Sequence, residues 1–240
     1  MNRSMSRWPR HRWFRLIAAT LIVLGGLLAV APASVAVANC TVTSTNSQGA
    51  GTLKACIAAA APGDTITFNL PDPSTIALSF GPVPIDKSLT ITGPGASKLT
   101  ISGSDAQQAF SISGGTVQIS GLTIANGRVS NSSGGGLQQT GGTLTLSNVV
   151  VENNRVTRTG GVPARGGGIA IVGGAATLNA TTVRTNSVVT TGADGGGGLY
   201  ISNEAAAVSV ALQGGTTITG NTVNDSSSLR GEGGGIMIAN

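Results

Sequence analysis

The chain has 240 residues, with 14 Lys or Arg against nine Asp or Glu and a formal charge of +5. That basicity is local, because Arg3, Arg7, Arg10, Arg12, Arg15 and the sole histidine, His11, all lie in the first 15 residues. Setting those five arginines aside leaves nine basic side chains against nine acidic ones, so the remainder is neutral and lacks the charge density that phosphate backbones require.

The apolar run from Leu16 to Ala38 follows this basic start and ends in Ala36-Val37-Ala38. A positive beginning, an apolar middle and a small-residue exit predict a secretory signal peptide over residues 1–38. No Arg-Arg pair interrupts WPRHRWFR, which points to general secretion rather than twin-arginine export. An uncleaved anchor is the competing reading, since the run is long enough to cross a bilayer. The small-residue exit favours cleavage, and with it a mature chain without a membrane span. Past Ala38 both tryptophans are gone, and Phe68, Phe80, Phe110 and Tyr200 are the aromatic residues left. Few aromatic platforms and no basic surplus exclude nucleic acid as a partner. The lack of histidine excludes imidazole catalysis and histidine metal sites from the mature chain.

Residues 39–74 read as an N-terminal cap. Cys40 and Cys56 form the only cysteine pair, and in an exported chain they are expected to make one structural disulfide. NCTVTST alternates like a strand and SQGAG is a turn. TLKACIAAAA has helical spacing, stopped by Pro62-Gly63, and DTITFNL (Asp64 to Leu70) is a second strand. A strand, helix and strand of this kind are suited to cover the open end of a larger sheet.

From about residue 75 to 240 the texture is repetitive. GGGLQQ, GGGIAI, GGGLYI and GGGIMI begin at Gly134, Gly166, Gly196 and Gly233. Between them stand VENNRV (Val151 to Val156), VRTNSV (Val183 to Val188) and ITGNTV (Ile218 to Val223), with a degenerate earlier copy, IANGRV, from Ile124 to Val129. Strings such as TLTLSN precede them. A recurrence of about 30 residues with three short strands per copy predicts a solenoid, each copy one coil stacked about 4.8 Å from the next. The fold class is therefore all-β, a parallel β-helix with a strand–helix–strand cap. Asn154, Asn186 and Asn221 share one register and are expected to form a structural ladder inside a turn, with Gly127 in the same place in the earliest copy.

The pairing of GG[GA][ILV] with [FVI]xxN resembles the repeat of the chlamydial-type polymorphic outer membrane proteins. The stretch from LTITGPGASKLTISG to GGTLTLSNVVVENN is similar to bacterial surface proteins built on β-helix repeats, and the likeness covers nearly all of residues 39–240. Val or Ile stands here where the chlamydial repeat prefers Phe. The resemblance implies a right-handed parallel β-helix exposed outside the cell, in adhesion or other surface roles.

Loops of differing sequence follow each apolar-x-x-Asn-x-Val string and carry most of the ionic residues of the repeats: Arg158, Arg165, Asp194, Asp225, Arg230 and Glu232. Inserted at one corner of every coil, they would line one side of the solenoid, where variable loops on a rigid scaffold usually bind. Solvated loops of mixed charge are the plainer reading. Register also predicts an exposed pair, Glu152 with Arg184, and an alignment of Arg128 with Arg155.

Catalysis by a polysaccharide hydrolase would need two carboxylates facing one bond, and no two acids share a register on neighbouring coils. A calcium-dependent lyase would need clustered carboxylates, and the acids here are isolated. GPGASK (Gly93 to Lys98) lacks the end of a phosphate loop and reads as a turn. The expected function is a non-catalytic, exported scaffold, secreted or on the cell surface. It would bind a surface glycan or protein through its loops, with no cofactor and no metal. The alternatives are a lyase or hydrolase of the pectin-lyase-like class, and a structural fragment of a longer surface protein. GGGIMIAN stops one strand into a new repeat, which leads us to expect a longer chain, a frayed last coil, or a partner over it such as a second copy in end-to-end association.

Overall fold

The computed structural model describes residues 39–159, 164–191, 195–202, 208–225 and 233–239. The expected signal peptide lies outside the described residues. The chain winds into a right-handed parallel β-helix built on four parallel sheets, with seven strands in sheet A, six each in sheets B and C, and four in sheet D. One coil shows the path: Leu137–Gln139 in sheet C, Thr143–Ser147 in A, Val150–Glu152 in B and Arg155–Arg158 in D. A loop and a glycine run then return the chain to sheet C at Ile169–Ile171, one coil further on.

Alternation decides which side chains face inward. In Thr143–Ser147, Leu144 and Leu146 are fully buried while Thr143, Thr145 and Ser147 face out. Leu146 stacks between Ile119 and Leu178 of the neighbouring coils, both also fully buried. Each such side chain contributes roughly 1.5–3 kcal/mol on leaving water, and the main core is a row of such columns. The remaining strands of sheet A are Asn39–Val42, Thr65–Phe68, Leu89–Thr92, Thr116–Ser120, Ala175–Asn179 and Ser209–Gln213.

The cap has the expected order. Asn39–Val42 pairs parallel with Thr65–Phe68, and the helix Leu53–Ala59 lies between them in sequence. Thr52 caps the helix through its side chain, which accepts from the Ala55 N–H at 3.3 Å. Leu53, Cys56 and Ile57 are buried, and the Cys40–Cys56 disulfide ties the helix to the first strand. Lys87 donates to the Ile57 and Ala60 carbonyls at the helix C-terminus, at 3.4 and 3.2 Å. Thr65–Phe68 also pairs with Leu89–Thr92, so cap and solenoid share one continuous sheet.

The three-strand repeat needs correction. From Arg128–Ser130 onward each coil carries a fourth strand, in sheet D, because the apolar-x-x-Asn-x-Val string is cut in two. The residue before the ladder position turns left-handed, with φ of +53° at Asn126, +56° at Asn153, +52° at Thr185 and +62° at Gly220. A strand cannot continue through that conformation. Val151 therefore faces the main core, whereas Val156 joins a second small cluster with Ala164 and Val188, flanked by Val129 and Val223.

At the last rung, Leu212, Ile236 and Ile238 are 44%, 39% and 66% exposed, although Leu178 and Leu199, the register partners of the first two, are fully buried. No helix among the described residues is long and apolar enough to cross a membrane.

Two stability effects are expected. Ala180 is left-handed (φ +48°) at the corner where Gly121 and Asn148 stand in earlier coils. An L side chain costs about 1–2 kcal/mol there, while glycine carries about 0.5–1 kcal/mol of chain entropy. Ala180→Gly should raise the urea midpoint, by a net of up to about 1 kcal/mol. Removing the disulfide with paired Cys40→Ser and Cys56→Ser opens a loop of about 15 residues and should lower stability by about 3 kcal/mol in the same titration.

Candidate functional site

The corner between sheets B and D is the most closely determined part of the molecule. Asn154 is 1% exposed and Asn186 fully buried. Asn154 Nδ2 donates to the Ile124 carbonyl (3.1 Å) and to Asn186 Oδ1 (2.9 Å), and its Oδ1 accepts from Gly127 N–H (2.7 Å). Asn186 repeats the pattern one coil on, donating from Nδ2 to the Val151 carbonyl and to Asn221 Oδ1, both at 2.9 Å. The backbone N–H groups of Asn154 and Asn186 also donate to the next amide oxygen, at 3.0 and 2.9 Å. Asn221 Nδ2 reaches the Val183 carbonyl at 2.9 Å. The Asn154 and Asn186 amides thus bond to the coils on either side, and Asn221 closes the ladder by bonding back to the coil before it. The ladder begins at Gly127 because a Cβ there would lie 2.0 Å from the Gly135 carbonyl oxygen.

The glycine runs lie against this ladder, a relation that sequence reading did not find. In Gly166-Gly167-Gly168 the three residues are glycine for three different reasons. Gly166 has φ +68°. A Cβ on Gly167 would lie 2.5 Å from the Ser187 carbonyl oxygen and 2.4 Å from that of Gly197. A Cβ on Gly168 would lie 2.9 Å from both Cγ and Nδ2 of Asn186. Gly136 meets Asn154, and Gly198 meets Asn221, in the same way. The equal spacing of Gly136 to Asn154 and Gly168 to Asn186 was the available signal.

The loops leave from sheet D, beside this corner. Arg158, Thr190 and Asp225 fall in one column, Arg158 paired with Thr190 and Thr190 with Asp225. Arg158 donates from Nη2 to the Asn131 carbonyl at 3.0 Å. Arg165 bridges to Ser133, and its guanidinium carbon lies 5.1 Å from the centre of the Tyr200 ring. Tyr200 is fully buried, so Arg165 holds its loop onto sheet C through a cation–π contact. Asp194, Arg230 and Glu232 lie outside the described residues.

The predicted charge alignments can be placed. Arg184 contacts Glu152 Oε2 through Nε at 2.7 Å and Nη2 at 2.6 Å, an exposed pair worth under about 1 kcal/mol. Arg128 is paired in register with Arg155. GPGASK is a turn whose Lys98 pairs with Asp72 at 2.8 Å, and that carboxylate pushes the Lys98 pKa up by hydrogen bonding and by charge. Among the described residues no three His, Cys, Asp or Glu side chains come together as a metal site would require.

A groove of about 520 Å³ lies between the cap helix and the first turns, lined by Lys54, Ile57, Ala58, Pro84, Asp86, Lys87 and Ser113. Lys54 donates to the Phe80 and Gly81 carbonyls at 2.6 and 2.7 Å, and burial pulls its pKa below the ordinary value. The Lys54 and Lys87 ammonium groups both hold backbone carbonyls, so the groove is a seam of the cap. No protein-family model, curated protein or solved structure matches this chain.

Asn186→Ala would strand the Asn154 N–H and take one bond each from the Asn154 Nδ2 and the Val151 carbonyl. At about 1–3 kcal/mol for the stranded group and about 0.5–1.5 kcal/mol for each further bond lost, the loss should be about 2–6 kcal/mol in urea unfolding. Asn221→Ala, at the less buried end of the ladder, should lose less.

Proposed function

We propose that the protein is an exported, non-catalytic scaffold of the polymorphic-outer-membrane-protein repeat type. On this reading it works outside the cell or at its surface, and binds a glycan or protein through the loops that leave sheet D. The observation that carries the reading is the single register of sheet D, Val129–Val156–Val188–Val223, which delivers every loop from the same edge of the solenoid. A rigid ladder beneath loops of differing sequence is the arrangement in which binding residues vary without disturbing the core. The basic, apolar, small-residue start of the chain supports export, and the disulfide suits an oxidising compartment. The pairing of glycine runs with asparagines supports the repeat type.

Binding of the secreted protein to an array of surface glycans and cell-wall fractions tests this reading. Replacing Arg158, Arg165 and Arg230 together with glutamine should weaken capture at least about tenfold, or about 1.4 kcal/mol. The thermal midpoint must be followed alongside, since Arg165 rests on Tyr200. Undiminished capture by a folded triple variant would remove the loops from the binding surface. Release of unsaturated or reducing sugar from uronate polymers, with or without calcium, would replace the scaffold reading with an enzymatic one.

A further inference from the structure

The outer face of sheet A takes no part in the loop reading. Its seven strands contain no Asp, Glu, Lys or Arg. One outward column runs Thr65, Thr90, Gln118, Thr145, Thr177 and Ala211. The column beside it holds Thr41, Thr67, Thr92, Ser120, Ser147 and Asn179. A third, shorter column includes Thr116 and Thr143. None of these residues is buried. Four, three and two threonines in the three columns place nine on one face, and Thr41 and Thr67 bring their hydroxyls to 3.2 Å across adjacent rungs.

The other faces differ. Sheet B carries the Glu152–Arg184 pair, sheet D ends in Arg158, and the outward Ala170 and Tyr200 of sheet C are covered. On sheet A the side chains repeat about every 4.8 Å between rungs and about every 6.7 Å along a strand. A small ligand gains little from such a face, because each neutral hydrogen bond nets only about 0.5–1.5 kcal/mol. A rigid partner with polar atoms at the same spacings forms many of these contacts at once, and parallel strand pairing has already fixed the spacing of the columns.

Two rigid periodic solids have the right neutral polarity: crystalline polysaccharide and ice. Pyranose rings present C–H faces best covered by flat aromatic side chains, and no outward residue of sheet A is aromatic. Ice presents only oxygen atoms, at repeats close to both spacings of this face, with gaps that threonine methyl groups fill. We propose that the outer face of sheet A binds ice. This is independent of the loop reading, since it uses a different face and different residues.

Ice growth in the presence of the full chain, disulfide oxidised, is the test. Faceted crystals are expected, with a gap between melting and freezing temperatures that widens with protein concentration. Thr90→Arg with Thr145→Arg should abolish the gap while the thermal midpoint is retained, and Thr217→Arg on sheet B should leave it intact. Should the arginine pair fail to fold, Thr145→Ser keeps the hydroxyl, drops the methyl and should narrow the gap. Unfaceted ice without a gap in the wild type would overturn the proposal, as would equal loss in the sheet B variant. Capture on microcrystalline cellulose with no effect on ice would overturn it in favour of a polysaccharide.

Discussion

The contact between the last glycine of a run and the asparagine amide of the same coil, made at Gly136, Gly168 and Gly198, sets the dimensions of the solenoid. At Gly168 the two meet so closely that one added carbon would fall 2.9 Å from the Asn186 side chain. The amide is then enclosed by backbone on one side and by its own ladder above and below. A buried amide is costly unless its groups are satisfied, and here the satisfaction comes from neighbouring coils. Each coil therefore depends on the next for the polar half of its core as well as the apolar half.

The asparagine part of that dependence runs along one corner, beside which the loops leave. The glycine runs and asparagines fix where a loop starts and where it returns. The small cluster around Val156, Ala164 and Val188 closes the space between loop and ladder, so loop sequence can change without opening the main core. Arg165 shows the limit of that freedom, because its guanidinium is already committed to Tyr200.

Much of this was legible in the residues. The expectation of export, together with spacing, indicated the Cys40–Cys56 bridge, helical periodicity the cap helix, and register the column of Asn154, Asn186 and Asn221. The fourth sheet was not legible, because VENNRV reads as one extended string unless the residue before the ladder is known to be left-handed. Asn153 and Gly220 hint at that conformation, but Thr185 argues against it, since a β-branched side chain disfavours a positive φ. Packing of glycine against asparagine was hidden for another reason. The two motifs lie 18 residues apart within one coil, at Gly168 and Asn186, and repeat arithmetic compares positions between coils rather than across one.

The polar corner also answers a problem peculiar to strands of Val, Ile, Leu and Thr. A slip of two residues between such strands keeps every apolar side chain inward, so hydrophobic pattern alone does not select the register. Asparagine does select it. Moving Asn186 by two positions would separate its amide from Asn221 Oδ1 and the Val151 carbonyl and would drive a side chain into the glycine run. Each coil would incur a penalty of about 1–3 kcal/mol for every stranded group, and the penalty recurs wherever the slip persists. In the coils that carry the ladder, the register of sheet A is thus imposed from the opposite side of the core: side chains that touch no part of that face hold Thr145 and Thr177 in line.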